Sequence, residues 1–147
     1  MAVRYRFGFI GAGAMAEAIA AGMIQQGLCA GSDIIMSNRS QDKLQRLVQT
    51  LGVCAAADNS QVAREAQYIV LAVKPQQFAA VCSQLQWEPQ PGQAVISIMA
   101  GVPLAALAEE MAYYGTFEKV PAMGWTLVPL SPYQGGSDSS FWPYDEK

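Results

Sequence analysis

Gly11 and Gly13, followed by the small residue Ala16, form the pattern G-x-G-x-x-A directly after the apolar run Phe7–Ile10. Each position has a physical use. Gly11 permits a turn that a Cβ would obstruct, and Gly13 lets the backbone come close to a pyrophosphate. Ala16 lets a helix lie tight on the preceding strand. A helix opening near Ala14 aims its unpaired N–H groups and the positive end of its dipole at whatever sits in the turn, so an anion is the natural guest. Taken alone the pattern is ambiguous, since Gly/Ala-rich turns also serve only to pack a helix on a sheet.

Two further groups of residues could act beside that turn. Asn38-Arg39-Ser40 closes a second apolar run, Ile34–Ser37. In a dinucleotide-binding unit this position reaches the adenosine ribose, and an acidic residue there would bond the 2′-hydroxyl of NAD. Here there is no carboxylate. The neutral Asn38, the fixed cation Arg39 and the hydroxyl of Ser40 suit a 2′-phosphate. The plainer reading is a solvated loop arginine beside a helix N-cap serine. Together with the glycine turn, the reading favoured is NADP, with NADPH preferred over NADH. Lys74, at the end of the unbroken apolar run Tyr68–Val73, stands where open α/β sheets bind their ligands. It could equally be a solvent-facing loop lysine.

The elements that must position these residues are legible in order. Gln41–Leu51 carries Leu44, Leu47, Val48 and Leu51 on one helical face, and Gly52 closes it. Val53–Ala56 reads as a short third strand, and Asp58-Asn59-Ser60 supplies cap chemistry for a helix through about Ala66. Tyr68–Val73 is the fourth strand. Pro75, lacking the N–H that a first helical position leaves unpaired, opens a helix over 76–85. Ala94–Ile98 is a fifth strand, and a helix is predicted from Leu104 to about Ala112. This alternation predicts an α/β fold, a Rossmann-like doubly wound parallel sheet with right-handed crossovers. Beyond Tyr114 the character changes, with Pro121, Pro129, Pro132 and Pro143 and a Gly135-Gly136-Ser137 stretch. Val120–Leu130 could still supply an edge strand. The expected organisation is a single dinucleotide-binding domain over 1–123 and an irregular tail over 124–147.

Composition excludes several classes of function. The formal net charge of −3 and the absence of any basic run argue against nucleic acid. No apolar stretch reaches the roughly 18 residues a membrane span needs. Arg4 and Arg6, the apolar run and the Ala16-Glu17-Ala18 triplet imitate a secretory signal, but Gly11, Gly13 and Gly22 interrupt the run and Glu17 follows the turn. Cys29, Cys54 and Cys82 are odd in number and widely spaced, as packed thiols of a cytoplasmic protein would be. The sequence has no histidine, which removes the usual zinc spacings and any Ser-His or Cys-His mechanism.

Four segments, Phe9–Ala16, Asn38-Arg39-Ser40, Ala72-Val73-Lys74-Pro75 and Ser97-Ile98-Met99-Ala100-Gly101-Val102, together resemble the amino-terminal domain of pyrroline-5-carboxylate reductase from about residue 5 to residue 112. The resemblance implies transfer of a hydride from NAD(P)H to the cyclic imine 1-pyrroline-5-carboxylate, making proline. It implies that Ile10, Gly11, Ala12, Gly13, Ala14 and Met15 hold the pyrophosphate. Asn38, Arg39 and Ser40 would approach the adenosine end, and Asn59 matches a cofactor-touching position. Ala72, Val73, Lys74 and Pro75, with Ile98, Met99 and Ala100, would line the nicotinamide half. A protonated imine is already electrophilic and needs neither metal nor nucleophile, which fits the missing histidine; it needs a hydride held close and in line.

The likeness fades after Met123. Family members continue to a Met-Pro-Asn-Thr-Pro motif and a helical domain that dimerises and supplies the substrate pocket. Here Val120-Pro121-Ala122-Met123 runs into Gly124-Trp125-Thr126-Leu127. The expectation is a truncated reductase whose small-molecule substrate requires a domain supplied from elsewhere, with association through the apolar surface that domain would have covered. The alternatives are a stand-alone NADP-binding module without catalysis, or the cofactor domain of another NADP-dependent reductase.

Overall fold

The computed structural model describes residues 3–99 and 127–129. Strand β1 (Tyr5–Ile10) leads through the glycine turn into helix α1 (Ala14–Gln25), and a single 3-10 turn (Gly31–Asp33) precedes β2 (Ile34–Ser37). Helix α2 (Gln41–Leu51), β3 (Cys54–Ala55), α3 (Asn59–Glu65) and β4 (Ala66–Leu71) follow. A 3-10 turn (Pro75–Gln77) runs into α4 (Phe78–Gln84), and β5 (Ala94–Ser97) and β6 (Leu127–Pro129) complete the sheet. The sheet order is β3-β2-β1-β4-β5-β6, and every pairing is parallel. The predicted α/β class and doubly wound sheet are what is found.

Two apolar layers sandwich the sheet, because alternate residues of each strand face opposite sides. Phe9, Ile34, Met36 and Val70 pack with Ala16 and Ala20 of α1 and Leu44 and Leu47 of α2. Ile10, Ile35, Ile69, Leu71 and Val95 pack on the other side with Val62 and Ala63 of α3 and Phe78, Val81 and Cys82 of α4. Where α3 crosses β1 only glycine fits. A Cβ on Gly8 would lie 2.6 Å from the Ala66 Cβ and 2.7 Å from Val62 Cγ1.

Helix ends follow the predicted cap chemistry. The Ser40 side chain accepts from the Lys43 N–H at 3.2 Å and caps α2, which ends in the left-handed Gly52 at φ 76°. The Asp58 carboxylate caps α3 by accepting from the Gln61 N–H at 2.8 Å.

Boundaries moved at one instructive place. The third helix was predicted to reach about Ala66 and the fourth strand to begin at Tyr68, yet β4 starts at Ala66. Ala66 pairs with Tyr5 and is fully buried beneath Gly8, so lateral pairing overrides the helical preference of Ala66-Gln67. A parallel edge strand does form within Val120–Leu130, as β6 on β5. It lies beyond residue 123, in the stretch read as tail. The predicted helix over 104–112 and the rest of that stretch lie outside the described residues.

Buried amide Gln93 locks the far end of the sheet. Its Nε2 donates to the carbonyls of Ala63 and Ala66 at 2.8 and 2.7 Å, and its Oε1 accepts from the Gln90 N–H at 2.8 Å and Trp87 Nε1 at 3.3 Å. All of its polar capacity is used, which is what a buried side-chain amide requires.

Candidate cofactor-binding cleft

β2 and β3 run outward from β1 in one direction and β4 and β5 in the other, so the order of the sheet reverses between β1 and β4. Ligands of open α/β sheets bind outside the carboxyl ends of the strands at this point. A cleft of about 550 Å³ opens there. Its walls are the glycine turn after β1, Asn38 and Arg39 after β2, Asn59 of α3, Ala72-Val73-Lys74 after β4, Gln77 of the following 3-10 turn, and one face of α4 through Ala80, Val81 and Gln84. A second hollow of about 360 Å³ adjoins it beyond Asn38 and Arg39, shares Asn59 and Gln84, and is bounded by Ala56, Asp58 and Ser60.

Gly11 and Gly13 are both needed, for different reasons. Gly11 has φ 103°, and a Cβ there would lie 2.7 Å from the Ala72 carbonyl oxygen, so the turn packs directly on the end of β4. Gly13 has an ordinary φ of −78°, and a Cβ there would meet no protein atom within 4 Å. The space over Gly13 therefore lies open.

Donors at this space are unused. Gly13 is the N-cap of α1 and provides no side-chain cap, whereas α2 and α3 are closed by Ser40 and Asp58. The first-turn N–H groups of α1, carried by Ala14 and Met15, have no intrahelical acceptor and remain for an anion. The Ala12 N–H is taken, donating to Asn38 Oδ1 at 3.2 Å. Asn38 thus clasps the glycine turn to the end of β2, and its Nδ2 donates to the Ser40 carbonyl at 3.3 Å. Arg39 and Lys74 are exposed on the cleft wall and form no ion pair among the described residues, and no carboxylate lines the main cleft. Two cations, open helix N–H groups and no acid favour a polyanion.

The remaining predicted residues take other places. Ile10 is fully buried in the core, and its carbonyl accepts from the Ala72 N–H at 2.9 Å, holding the two strand ends together. Met15 is 63% exposed on the first turn of α1. Ser40 caps α2 at the margin. Pro75 opens the turn leading into α4, with Lys74 extended before it. Ile98 is half-buried, and Met99 is packed into the core with its N–H donating to Ser97 Oγ at 3.2 Å, so neither side chain lines the cleft. Ala100 lies outside the described residues. The inner face of α4 and the buried Ser37 were not anticipated. Gln77, Ala80, Val81 and Gln84 recur at helical spacing, which was a usable signal; Ser37 gave none, being one residue of an apolar run.

Burial and the nearby Asp33 charge raise the Cys29 thiol above its ordinary value, and Tyr5 is raised chiefly by its hydrogen bond with Cys54. Both lie away from the cleft. No group of three or more His, Cys, Asp or Glu side chains among the described residues could hold a metal.

The sequence matches, over residues 6–101, the family described as NADP oxidoreductase, coenzyme F420-dependent. The chain belongs to this family. Its members are NAD(P)-dependent oxidoreductases, and the resemblance to the amino-terminal domain of pyrroline-5-carboxylate reductases is shown by close relatives. The chain is 38% identical over 106 residues to a pyrroline-5-carboxylate reductase of Methanosarcina acetivorans, covering 72% of this chain and 39% of that one. It is likewise 38% identical over 107 residues to the enzyme of Vibrio alginolyticus, covering 73% and 39%. A solved pyrroline-5-carboxylate reductase from Coxiella burnetii superimposes with a TM-score of 0.64 at 35% identity, over 73% of this chain and 40% of the other. The chain thus spans about two fifths of the length of these relatives. No helix among the described residues is long and apolar enough to cross a membrane.

Proposed function

We propose that this chain is the NADPH-holding part of a pyrroline-5-carboxylate reductase. In that role it presents the nicotinamide for hydride transfer to 1-pyrroline-5-carboxylate, giving proline, beside the substrate-binding part of such a reductase. The observation that carries the reading is the cleft at the β1/β4 reversal, where an uncapped helix N-terminus, Arg39 and Lys74 converge with no opposing carboxylate. NADPH fits this donor set: a pyrophosphate over Gly13 meets the α1 N–H groups, and a 2′-phosphate at the end of β2 meets Arg39 and the Ser40 margin. Bound there, NADPH supplies the hydride. The chain's own residues orient it. Ala72 to Lys74 and the apolar part of α4, Ala80 and Val81, form the opposite wall, which keeps water from one side of the cleft. Asn59 stands between the two hollows. Ile98 and Met99 are assigned to the nicotinamide side through their main chain. A cytoplasmic location belongs to the same reading.

A second reading has its own support. The groups lining the cleft are ones that hold a nucleotide, with no carboxylic acid or histidine among them, which fits a module that holds NADPH without reducing anything. Two measurements on the purified chain decide. In a titration followed by nicotinamide fluorescence, saturable NADPH binding with weaker NADH binding is expected; no binding by folded protein refutes both readings. Pyrroline-5-carboxylate-dependent NADPH oxidation, assayed alone and with a helical domain added in trans, then separates a reductase from a binding module.

A further inference from the structure

We propose that Ser37 is a positioning residue of this cleft, fixing the side-chain amide of Asn59 so that its amine, and not its carbonyl, is presented to the nucleotide. The inference rests on the cofactor reading above. Ser37 is the last residue of β2, 3% exposed, and nothing in its surroundings asks for a hydroxyl except what it touches. Its Oγ lies 2.6 Å from Asn59 Oδ1. A carboxamide oxygen can only accept, so the serine donates. The same residue accepts the Gly11 N–H with its main-chain carbonyl at 3.1 Å. Ser37 therefore ties the glycine turn, on one bank, to α3, on the other.

The consequence is chemical polarity at residue 59. With Oδ1 engaged by Ser37, Asn59 Nδ2 has no partner among the described residues, on a side chain that borders both hollows. A free amide could turn either its donor or its acceptor to a ligand at little cost. One held by Ser37 keeps its oxygen turned toward the serine and its donor turned toward the cleft. Position 59 then favours oxygen acceptors of the bound nucleotide, a ribose hydroxyl oxygen or a phosphate oxygen, over a ligand group that can only donate.

The test is a double-mutant cycle on NADPH affinity in the full chain, with Ser37→Ala, Asn59→Ala and the double variant, each checked for folding by circular dichroism. Loss of one orienting hydrogen bond should weaken binding about 3- to 10-fold in S37A, and N59A should lose about as much or more. In the double variant the serine change should add less than about twofold, since there is no amide left to orient. A merely structural serine would weaken binding by the same factor whether or not Asn59 is present, and that result overturns the proposal. So does wild-type affinity in S37A. If S37A does not fold, Ser37→Cys, which keeps the side-chain connectivity and weakens the donor, replaces it: a smaller loss confined to the Asn59 background supports the assignment and unchanged affinity overturns it. If the wild-type chain, folded, binds no NADPH, the cofactor reading fails and this inference falls with it. Binding by wild type with an additive cycle refutes Ser37 alone.

Discussion

Alanine at Gly11 and alanine at Gly13 should separate stability from cofactor binding, although the two glycines belong to one motif and lie two residues apart. At Gly11 the φ of 103° costs a non-glycine residue about 1–2 kcal/mol. The new Cβ would also lie 2.7 Å from the Ala72 carbonyl oxygen and 2.8 Å from its carbon, both backbone atoms just past the end of β4, where the Ala72 N–H is bonded to the Ile10 carbonyl. Relieving that overlap costs about 1–3 kcal/mol more. Gly11→Ala should therefore lose about 3 kcal/mol, a fall in Tm of roughly 6–12 °C for a chain of this size. At Gly13 the backbone is ordinary and the Cβ meets nothing within 4 Å. A modest loss of N-cap quality offsets a modest gain from a stiffer unfolded chain, so G13A should stay within about 0.5–1 kcal/mol of wild type. Its methyl group, however, stands where the anion must approach the α1 N–H groups, and NADPH affinity should fall at least about tenfold, some 1.4 kcal/mol. Thermal melts and nicotinamide-fluorescence titrations of the two variants suffice. If G13A binds NADPH as wild type does, the pyrophosphate does not sit over Gly13 and the assignment of the turn is wrong. Equal destabilisation by both variants would mean that the open space over Gly13 is misread.

Other expectations follow from the same geometry. Arg39→Ala should weaken NADPH about tenfold and NADH by less than about twofold, because only the former carries a 2′-phosphate; equal losses would remove Arg39 from the 2′-phosphate site. Lys74→Ala should weaken both nucleotides with little change in Tm, as an exposed cation without an ion pair among the described residues contributes little to folding. Gln93→Ala removes a buried amide with four hydrogen bonds at the opposite end of the sheet. It should cost about 2–4 kcal/mol in a urea melt while the folded fraction binds NADPH as wild type does. For Cys29, a thiol raised by burial and by Asp33 stays protonated in the folded chain after the unfolded chain has ionised. Its contribution to stability is thus complete below the ordinary thiol value and declines as pH rises from there through the raised value. In a background lacking Cys54 and Cys82, the pH midpoint of its alkylation should lie above that of a free cysteine; a midpoint below it would contradict the burial argument.

How much of this was legible in the sequence depended on whether the cause was local. Helix α2 was readable almost to the residue, because its cap Ser40, its apolar stripe and its left-handed Gly52 all lie within thirteen consecutive positions and each acts on its neighbours. The glycine turn and Lys74 were legible for a related reason: a strand end, a turn and a helix start carry their own residue preferences wherever they occur. The start of β4 was not, since Ala66 becomes strand by pairing with Tyr5, about sixty residues away, and by fitting under Gly8. The hydrogen-bonded pairs that give the cleft its polarity were hidden in the same way. Ser37 meets Asn59 across 22 residues, and Asn38 meets Ala12 across 26. Nothing in the run Ile-Ile-Met-Ser distinguishes a serine that orients a neighbouring amide from one that merely ends a strand.

That division has a physical basis which bears on function. The features legible from sequence, a turn that admits an anion and a helix that attracts it, would bind almost any phosphate, since they act through backbone N–H groups and a dipole common to all helices. Discrimination among nucleotides has to come from side chains whose donors and acceptors are held in one orientation, because a freely rotating amide or hydroxyl adapts to whatever is offered. In this cleft the orienting partners come largely from distant parts of the chain: Asn38, whose Nδ2 bonds the nearby Ser40 carbonyl, is held by the Ala12 N–H of the glycine turn, and Asn59 by Ser37 of β2. Any selectivity the cleft has is therefore a property of the assembled sheet. A variant that leaves every glycine of the motif intact but loosens β2 against β1 or α3 should still bind pyrophosphate compounds, while losing its preference among them before it loses its fold.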